Sequence, residues 1–186
     1  FKQIEGFGTY GFPESHAASF ALLVYVSAWI KCHYPDVFIC ALLNAQPMGF
    51  YGPAQLVAEA KRSGVRVLPV DVSHSFWDCS LEPTTHNRHA LRLGFRQVKG
   101  VRQAEVSRIA ASRDSGYRDL SDIIRRADVS VNTLEALARA DAFASLGLNA
   151  RQAFWEIKRL GRISVHNTSH GLPLFAHAEQ RQQIVM

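Results

Sequence analysis

The chain has 186 residues, of which 47% are hydrophobic, and 21 Lys and Arg side chains stand against 16 Asp and Glu. This composition can build a packed core and excludes a disordered or low-complexity chain. The three cysteines lack paired metal-ligand spacing, which predicts reduced thiols and no disulfide. No initiator Met or secretory leader opens the sequence, so it is expected to be a piece of a longer cytoplasmic protein.

Positive charge is concentrated in one part of the sequence. Residues 1–82 carry 5 Lys and Arg against 7 Asp and Glu, residues 83–160 carry 14 against 8, and the remaining residues carry 2 against 1. A polyanion such as nucleic acid is therefore expected to bind residues 83–160. The alternative is a solvated cationic face that has no partner.

Helical patterns dominate the first half. Pro13 suits a first helical turn, and the apolar residues 17–30 predict a buried helix, since a membrane span needs ~20 such residues. A second helix follows Pro35, and the two are expected to form a compact unit buried on most sides. Pro53 opens a third helix, and the alternating β-branched residues of 65–72 predict a strand after it.

The second half begins with a predicted strand at residues 90–98, where apolar residues alternate with Arg92, Gly94 and Arg96. This alternation predicts one apolar face and one cationic face. Four short helices are expected next: Asp119 caps one of them, and capping boxes open two others at Asn132 and Asn149. After residue 160 the pattern becomes that of a linker. Together these elements predict a mainly α fold with a small α/β connector.

The sequence Val98-Lys99-Gly100-Val101-Arg102, followed by a predicted helix, looks like the turn of a helix-hairpin-helix motif. In that motif a glycine turn lets backbone N–H groups at a helix N-terminus approach a phosphate, and nearby cations neutralise it. No acidic residue occurs in the stretch 88–104. The predicted DNA-binding residues are Arg88, Arg92, Arg96, Lys99, Gly100 and Arg102. If all five cations contacted phosphates, the log–log salt slope of binding would be roughly −4.5.

A second, more degenerate hairpin occurs at residues 140–147. Asp141 beside its turn would repel phosphate, so this copy is expected mainly to pack. No catalytic carboxylate is predicted in this chain, because no Asp-x-Asp occurs. Asp119 and Asp122 are better explained as a helix cap and a helix-dipole partner. The eight histidines are poorly spaced for a metal site, and none is predicted. The tryptophans, Trp29, Trp77 and Trp155, are predicted core anchors.

Residues 12–51 closely resemble the end of the fingers in bacterial error-prone C-family DNA polymerases. The resemblance is carried by Pro13-Glu14-Ser15-His16-Ala17-Ala18 and by Gln46-Pro47-Met48-Gly49-Phe50-Tyr51. Glu14 stands where the replicative branch usually has Lys, which favours the error-prone branch. The resemblance implies four segments: the C-terminal part of the fingers at 1–48, a helix–strand connector at 49–82, a tandem helix-hairpin-helix module at 83–160, and a linker at 161–186.

The resemblance further implies a parent protein that is a bacterial cytoplasmic DNA-directed DNA polymerase used in translesion synthesis. Its Mg²⁺ would be held outside this chain, so the chain alone is expected to be inactive and to bind primer–template duplex without sequence specificity. Ser15 and His16 would lie near the nascent base pair; alternatively, Ser15 caps the helix and His16 is a boundary histidine. Leu172, Leu174 and Phe175 resemble a sliding-clamp peptide, for which a plain linker is the alternative. Accessory translesion proteins are further expected partners.

Two rival interpretations come from other classes. One is the DNA-binding module of a nuclease or recombination protein, because such hairpins recur in unrelated enzymes. It leaves the resemblance of residues 12–51 unexplained. The other is a protein-interaction scaffold whose basic half binds an acidic protein, which predicts binding that depends on that partner and little on nucleic acid.

Overall fold

The computed structural model describes residues 14–84, 89–114 and 116–169. Within them the helices are α1 Glu14–His33, α2 Pro35–Asn44, α3 Pro53–Arg62, α4 Gln103–Ala111, α5 Leu120–Ala127, α6 Val131–Arg139 and α7 Ala150–Ser169. The strands are β1 Val67–Leu68, β2 Ser80–Pro83 and β3 His89–Arg92. The predicted fold class, mainly α with a small α/β part, is confirmed.

The chain divides into two compact units. The helix–sheet unit comprises Phe1–Pro69 and Asp78–Leu93, and the hairpin unit comprises Val70–Trp77 and Gly94–Met186. This division differs from the four predicted segments, because β3 belongs to the first unit and the short segment 70–77 belongs to the second. The predicted boundary near Pro83 instead falls at the end of β2, within the helix–sheet unit.

The helix–sheet unit packs α2 and α3 against a three-stranded sheet of order β1-β3-β2. β1 runs parallel to β3 with Val67 opposite Leu91, and β2 runs antiparallel to β3. Ile39, Leu43 and Leu91 are almost fully buried in its core. Pro35 at the first turn of α2 is the helix start that the sequence predicted.

Helix α1 forms as predicted but is not buried. Leu22 is 65% exposed and Tyr25 is 70% exposed, and Trp29, a predicted core anchor, is 48% exposed. A helix that is apolar on every face requires cover on every face, and no described element packs over its middle turns. The predictions of a buried helix and of a buried Trp29 are therefore wrong for this chain.

The predicted strand at 90–98 ends early. β3 stops at Arg92, and a 3₁₀ turn, Phe95–Gln97, follows Gly94. The predicted cationic face does not form, because β3 is the central strand and its Arg92 side chain is buried. Arg92 Nε donates to Glu82 Oε1 at 2.7 Å, and its Nη1 donates to the Pro69 carbonyl at 2.9 Å.

Asn44 joins α2 to the chain just before β2. Its amide oxygen accepts from the Cys79 backbone N–H at 2.8 Å, and its amide nitrogen donates to the Cys79 carbonyl at 2.9 Å. Cys40 and Cys79 are buried free thiols, whereas the free thiol of Cys32 is exposed. Burial raises the pKa of the Cys40 thiol to about 11, so this thiol stays protonated at neutral pH.

The hairpin unit contains the four helices that the sequence predicted. Asp119 caps α5 by accepting from the Asp122 N–H at 2.8 Å, and the Asn149–Gln152 capping box is present at the start of α7. The predicted cap at Asn132 is wrong: α6 is capped by Ser130, whose hydroxyl accepts from the Thr133 N–H. Ser and Asn are both favoured at the N-cap position, and Ser130 was the missed signal.

The last helix is longer than expected. α7 continues to Ser169, so the predicted linker cannot begin at residue 161. The core of the unit is formed by nearly inaccessible side chains: Phe95, Ile109, Leu120, Ile123, Leu134, Leu137, Phe143 and Ile157. Trp155 on α7 is 65% exposed, so its predicted role as a core anchor is also wrong.

Candidate nucleic-acid interface

The first hairpin turn is built around Gly100. Its φ of +89° lies in the left-handed region, where residues other than glycine are strained. A Cβ added at Gly100 would lie 3.9 Å from the Ala136 Cβ, an ordinary contact. The surroundings of Gly100 would therefore admit a side chain, and it is the backbone conformation that requires glycine here.

The helix that follows, α4, presents its N-terminus beside this turn. Arg102 is the N-cap residue, and its side chain makes no capping hydrogen bond. The first turn of any α-helix leaves backbone N–H groups without helical acceptors. Among the described residues, no acceptor is present for the N–H groups of Gln103 and Ala104, and both residues are exposed. These donors and the helix dipole favour an anion at this end of α4.

Two exposed cations flank the turn. Lys99 precedes Gly100, and Arg102 has a side chain that is 74% exposed. Arg102 Nη1 lies 3.4 Å from Glu105 Oε1. Because ion pairs with an exposed partner contribute little, this contact can be exchanged for a phosphate contact.

Glu105 fixes the start of α4 to the start of α6. Its side chain is buried, and Oε2 accepts from the Ser130 hydroxyl at 2.8 Å and from the Ser130 N–H at 3.2 Å. Burial alone would raise the pKa of the Glu105 carboxyl, but hydrogen bonds from Thr133 and Ser130 hold the pKa below its ordinary value. The carboxylate is thus a stable internal anchor, and sequence reasoning missed it.

The other predicted phosphate-binding cations are placed differently. Arg92 lies in the helix–sheet unit with its guanidinium committed to Glu82 and Pro69, which argues against a phosphate contact from it. Arg96 is half-buried and already has an interaction partner. Arg88 lies outside the described residues. The structure therefore brings Lys99, Gly100 and Arg102 together at one turn.

Much of the remaining positive charge of the hairpin unit serves structure. Arg108 donates to the Ala127 and Asp128 carbonyls at the end of α5. Arg126 donates to the Gly116 carbonyl at 2.9 Å and pairs with Asp122 at 3.2 Å. The excess of cations in residues 83–160 thus overstates the charge that a polyanion could contact.

The second hairpin turn is covered by the segment 70–77. Asp71 Oδ2 accepts from the Ser145 N–H at 3.1 Å, and the Val72 N–H donates to the Ala142 carbonyl at 2.9 Å. Burial alone would raise the pKa of the Asp71 carboxyl, but hydrogen bonds that include those from Ser145 hold it below its ordinary value. The Asp71 carboxylate thus accepts the hydrogen bond from a turn N–H group that would otherwise be available to a phosphate. This arrangement supports the expectation that the second copy packs.

The residues predicted from the polymerase resemblance are less informative. His16 is exposed, and its ring lies 4.4 Å from the Phe20 ring, between centroids. Ser15 lies in the first turn of α1, and its side chain is outside the described part of the chain, as are Leu172, Leu174 and Phe175.

A family model described as a helix-hairpin-helix motif matches residues 64–153. Error-prone DNA polymerase 2 of Agrobacterium fabrum is 55% identical over 98% of this chain, and the error-prone DNA polymerase of Sinorhizobium medicae is 52% identical over 96%. That of Methylococcus capsulatus is 48% identical over 96%. Over nearly its whole length, the chain matches one segment of error-prone DNA polymerases. It spans 16%, 17% and 19% of the length of these three relatives, respectively.

The match to the helix-hairpin-helix model covers more of this chain than the predicted module does at its N-terminal end. It begins at residue 64, before the predicted start at residue 83, and so includes the segment that carries Asp71. Within residues 14–84, 89–114 and 116–169, no cluster of His, Cys, Asp or Glu is suited to hold a metal ion. No described helix is long and apolar enough to cross a membrane.

Proposed function

We propose that the hairpin unit binds the sugar–phosphate backbone of duplex DNA without sequence specificity, through the turn at Gly100. The observation that carries the proposal is the exposed left-handed turn, which leads into a helix whose first N–H groups lack acceptors in the described chain. Lys99 and Arg102 supply charge on either side of it. Backbone N–H groups and cations recognise phosphate and carry no base information, so the binding would be independent of sequence.

The whole protein is proposed to be a DNA-directed DNA polymerase that extends primers across damaged template in the bacterial cytoplasm. This follows the names of the relatives and the resemblance of residues 12–51. Mg²⁺ would be held by carboxylates outside this chain. This chain would bind the DNA duplex and would supply no catalytic group. A sliding clamp and accessory translesion proteins are proposed partners of the whole protein, in accordance with the same resemblance.

The first experiment measures the affinity of a labelled primer–template duplex for the full chain at fixed low salt. Replacing Lys99 and Arg102 together by Ala is expected to weaken binding by roughly tenfold or more, from two lost phosphate contacts. Gly100→Ala should also weaken binding, because a side chain at positive φ disfavours the turn conformation. Arg118→Ala, which removes an exposed cation preceding α5, is the matched charge control.

The control separates two explanations. If Arg118→Ala weakens binding as much per charge removed as the double variant does, and Gly100→Ala leaves it unchanged, general charge and not the turn governs the affinity. Unchanged affinity in the double variant and in Gly100→Ala would remove the hairpin from the interface. Binding that depends on an acidic protein and not on duplex would instead support the interaction-scaffold alternative. The nuclease or recombination alternative is not retained, since the relatives account for the resemblance of residues 12–51.

A further inference from the structure

The exposed face of α7 carries an aromatic side chain between two arginines. Trp155 is 65% exposed, and Arg151 and Arg159 stand four residues before and after it. Side chains spaced by four lie on the same face of a helix, about 5–6 Å apart at Cβ. The three side chains therefore form one continuous strip on the surface of the hairpin unit.

A shallow groove of about 520 Å³ runs along this strip. It is lined by Leu148, Arg151, Gln152, Trp155, Glu156 and Arg159. The ionisable lining groups are two arginines and one glutamate, so the groove is net cationic. Arg159 lies 3.7 Å from Glu156, whereas no described residue pairs with the Arg151 guanidinium.

We propose that this groove binds single-stranded nucleic acid, with an unpaired base stacked on the Trp155 indole. A planar π-face with guanidinium groups on both sides matches a nucleotide, which presents a flat base and an adjacent phosphate. A purely apolar protein partner would desolvate both arginines and leave Arg151 unpaired. A duplex would leave the Trp155 indole without a stacking partner, because the bases of a duplex are already stacked on one another.

The groove is distinct from the turn at Gly100 in residues and in ligand. The turn offers backbone N–H groups and cations, which suit the phosphates of a duplex. The groove offers an aromatic face, which suits a base that has left the duplex, such as one in a single-stranded template. Single-strand binding at this groove is therefore separate from the proposed duplex binding and does not depend on it.

The test uses the full chain and a labelled oligothymidylate about ten nucleotides long. Trp155→Leu is expected to weaken binding on the order of tenfold, because stacking is lost while apolar volume is kept. Trp155→Phe should retain most of the affinity. Arg151→Gln should weaken binding several-fold and flatten the log–log salt slope by roughly 0.7, the value for one contact with a single strand.

Matched controls keep the outcomes separate. Trp29→Leu replaces another exposed tryptophan, which has Tyr25 and His33 in place of the arginines, and should bind like the parent chain. Lys99→Ala/Arg102→Ala should lose duplex affinity and keep affinity for the oligothymidylate. Equal binding by Trp155→Leu and the parent chain would overturn the proposal. So would absent oligothymidylate binding by the parent chain, or equal losses in the Phe and Leu variants with unchanged thermal melts.

Discussion

Glu105 provides a case in which electrostatics and positioning predict opposite effects on DNA binding. Its carboxylate lies in the first turn of α4, beside the proposed phosphate site. Removing its negative charge by Glu105→Gln should tighten DNA binding if only charge matters. If the carboxylate instead positions α4 through Ser130, the same substitution should weaken DNA binding, because the amide cannot replace the carboxylate as an acceptor of several hydrogen bonds.

The size of the stability effect can be worked out from the contacts. The Glu105 carboxylate accepts two hydrogen bonds from Ser130, and Thr133 also contributes to its lowered pKa. Hydrogen bonds to a charged group contribute about 1.5–3 kcal/mol each but are not additive, and glutamine retains one acceptor oxygen. We expect Glu105→Gln to lower the free energy of unfolding by about 2 kcal/mol.

Denaturant titration of the two proteins measures this stability, and duplex titration at fixed salt measures the binding. Glu156→Gln, on α7, removes a more exposed carboxylate and serves as the charge control. The positioning account expects weaker duplex binding for Glu105→Gln and equal or tighter binding for Glu156→Gln. Tighter binding by Glu105→Gln, or a stability change below about 0.5 kcal/mol, would refute the reasoning.

Three other predictions concern polar groups that join segments within a single unit. Arg92→Gln should lower the free energy of unfolding by about 2 kcal/mol, by breaking the pair with Glu82, and should leave duplex affinity unchanged. Asn44→Leu should cost about 2 kcal/mol in denaturant titration, because both Cys79 backbone groups lose their partner. Because the pKa of Asp71 is lower in the folded than in the unfolded state, its carboxylate stabilises the fold at pH values above the unfolded pKa of about 3.9. This contribution is lost as pH falls through the lower pKa of the folded state. Acid titration of Asp71→Asn should therefore show a weaker loss of stability in that pH range; identical acid curves would contradict it.

Local signals in the sequence were sufficient where the partner is a near neighbour. Asp119 and Asn149 cap helices through backbone groups three residues away, and both were predicted correctly. The Gly100 turn was visible for the same reason. Ser130 was missed because two plausible polar residues lie close together, and hydrogen bonds to both Thr133 and Glu105 decide between them.

Partners that are distant in sequence could not be predicted. Asp71 caps a turn amide 74 residues away, and nothing near it in the sequence indicates that contact. The alternation around Arg92 resembled a cationic strand face, but the position of β3 between β1 and β2 buries that residue. The apolar composition of α1 predicted burial, although composition cannot specify which element supplies the cover. Trp155 illustrates the same limit, since residue type alone suggested the core.

The central claim is that two cations at the Gly100 turn neutralise DNA phosphates. The most direct measurement is duplex affinity over a range of salt concentrations for the parent chain and Lys99→Ala/Arg102→Ala. At about 0.9 per phosphate contact on duplex DNA, the log–log slope should flatten by roughly 1.8 in the double variant. An identical slope in the two proteins would contradict the claim and place the DNA grip elsewhere.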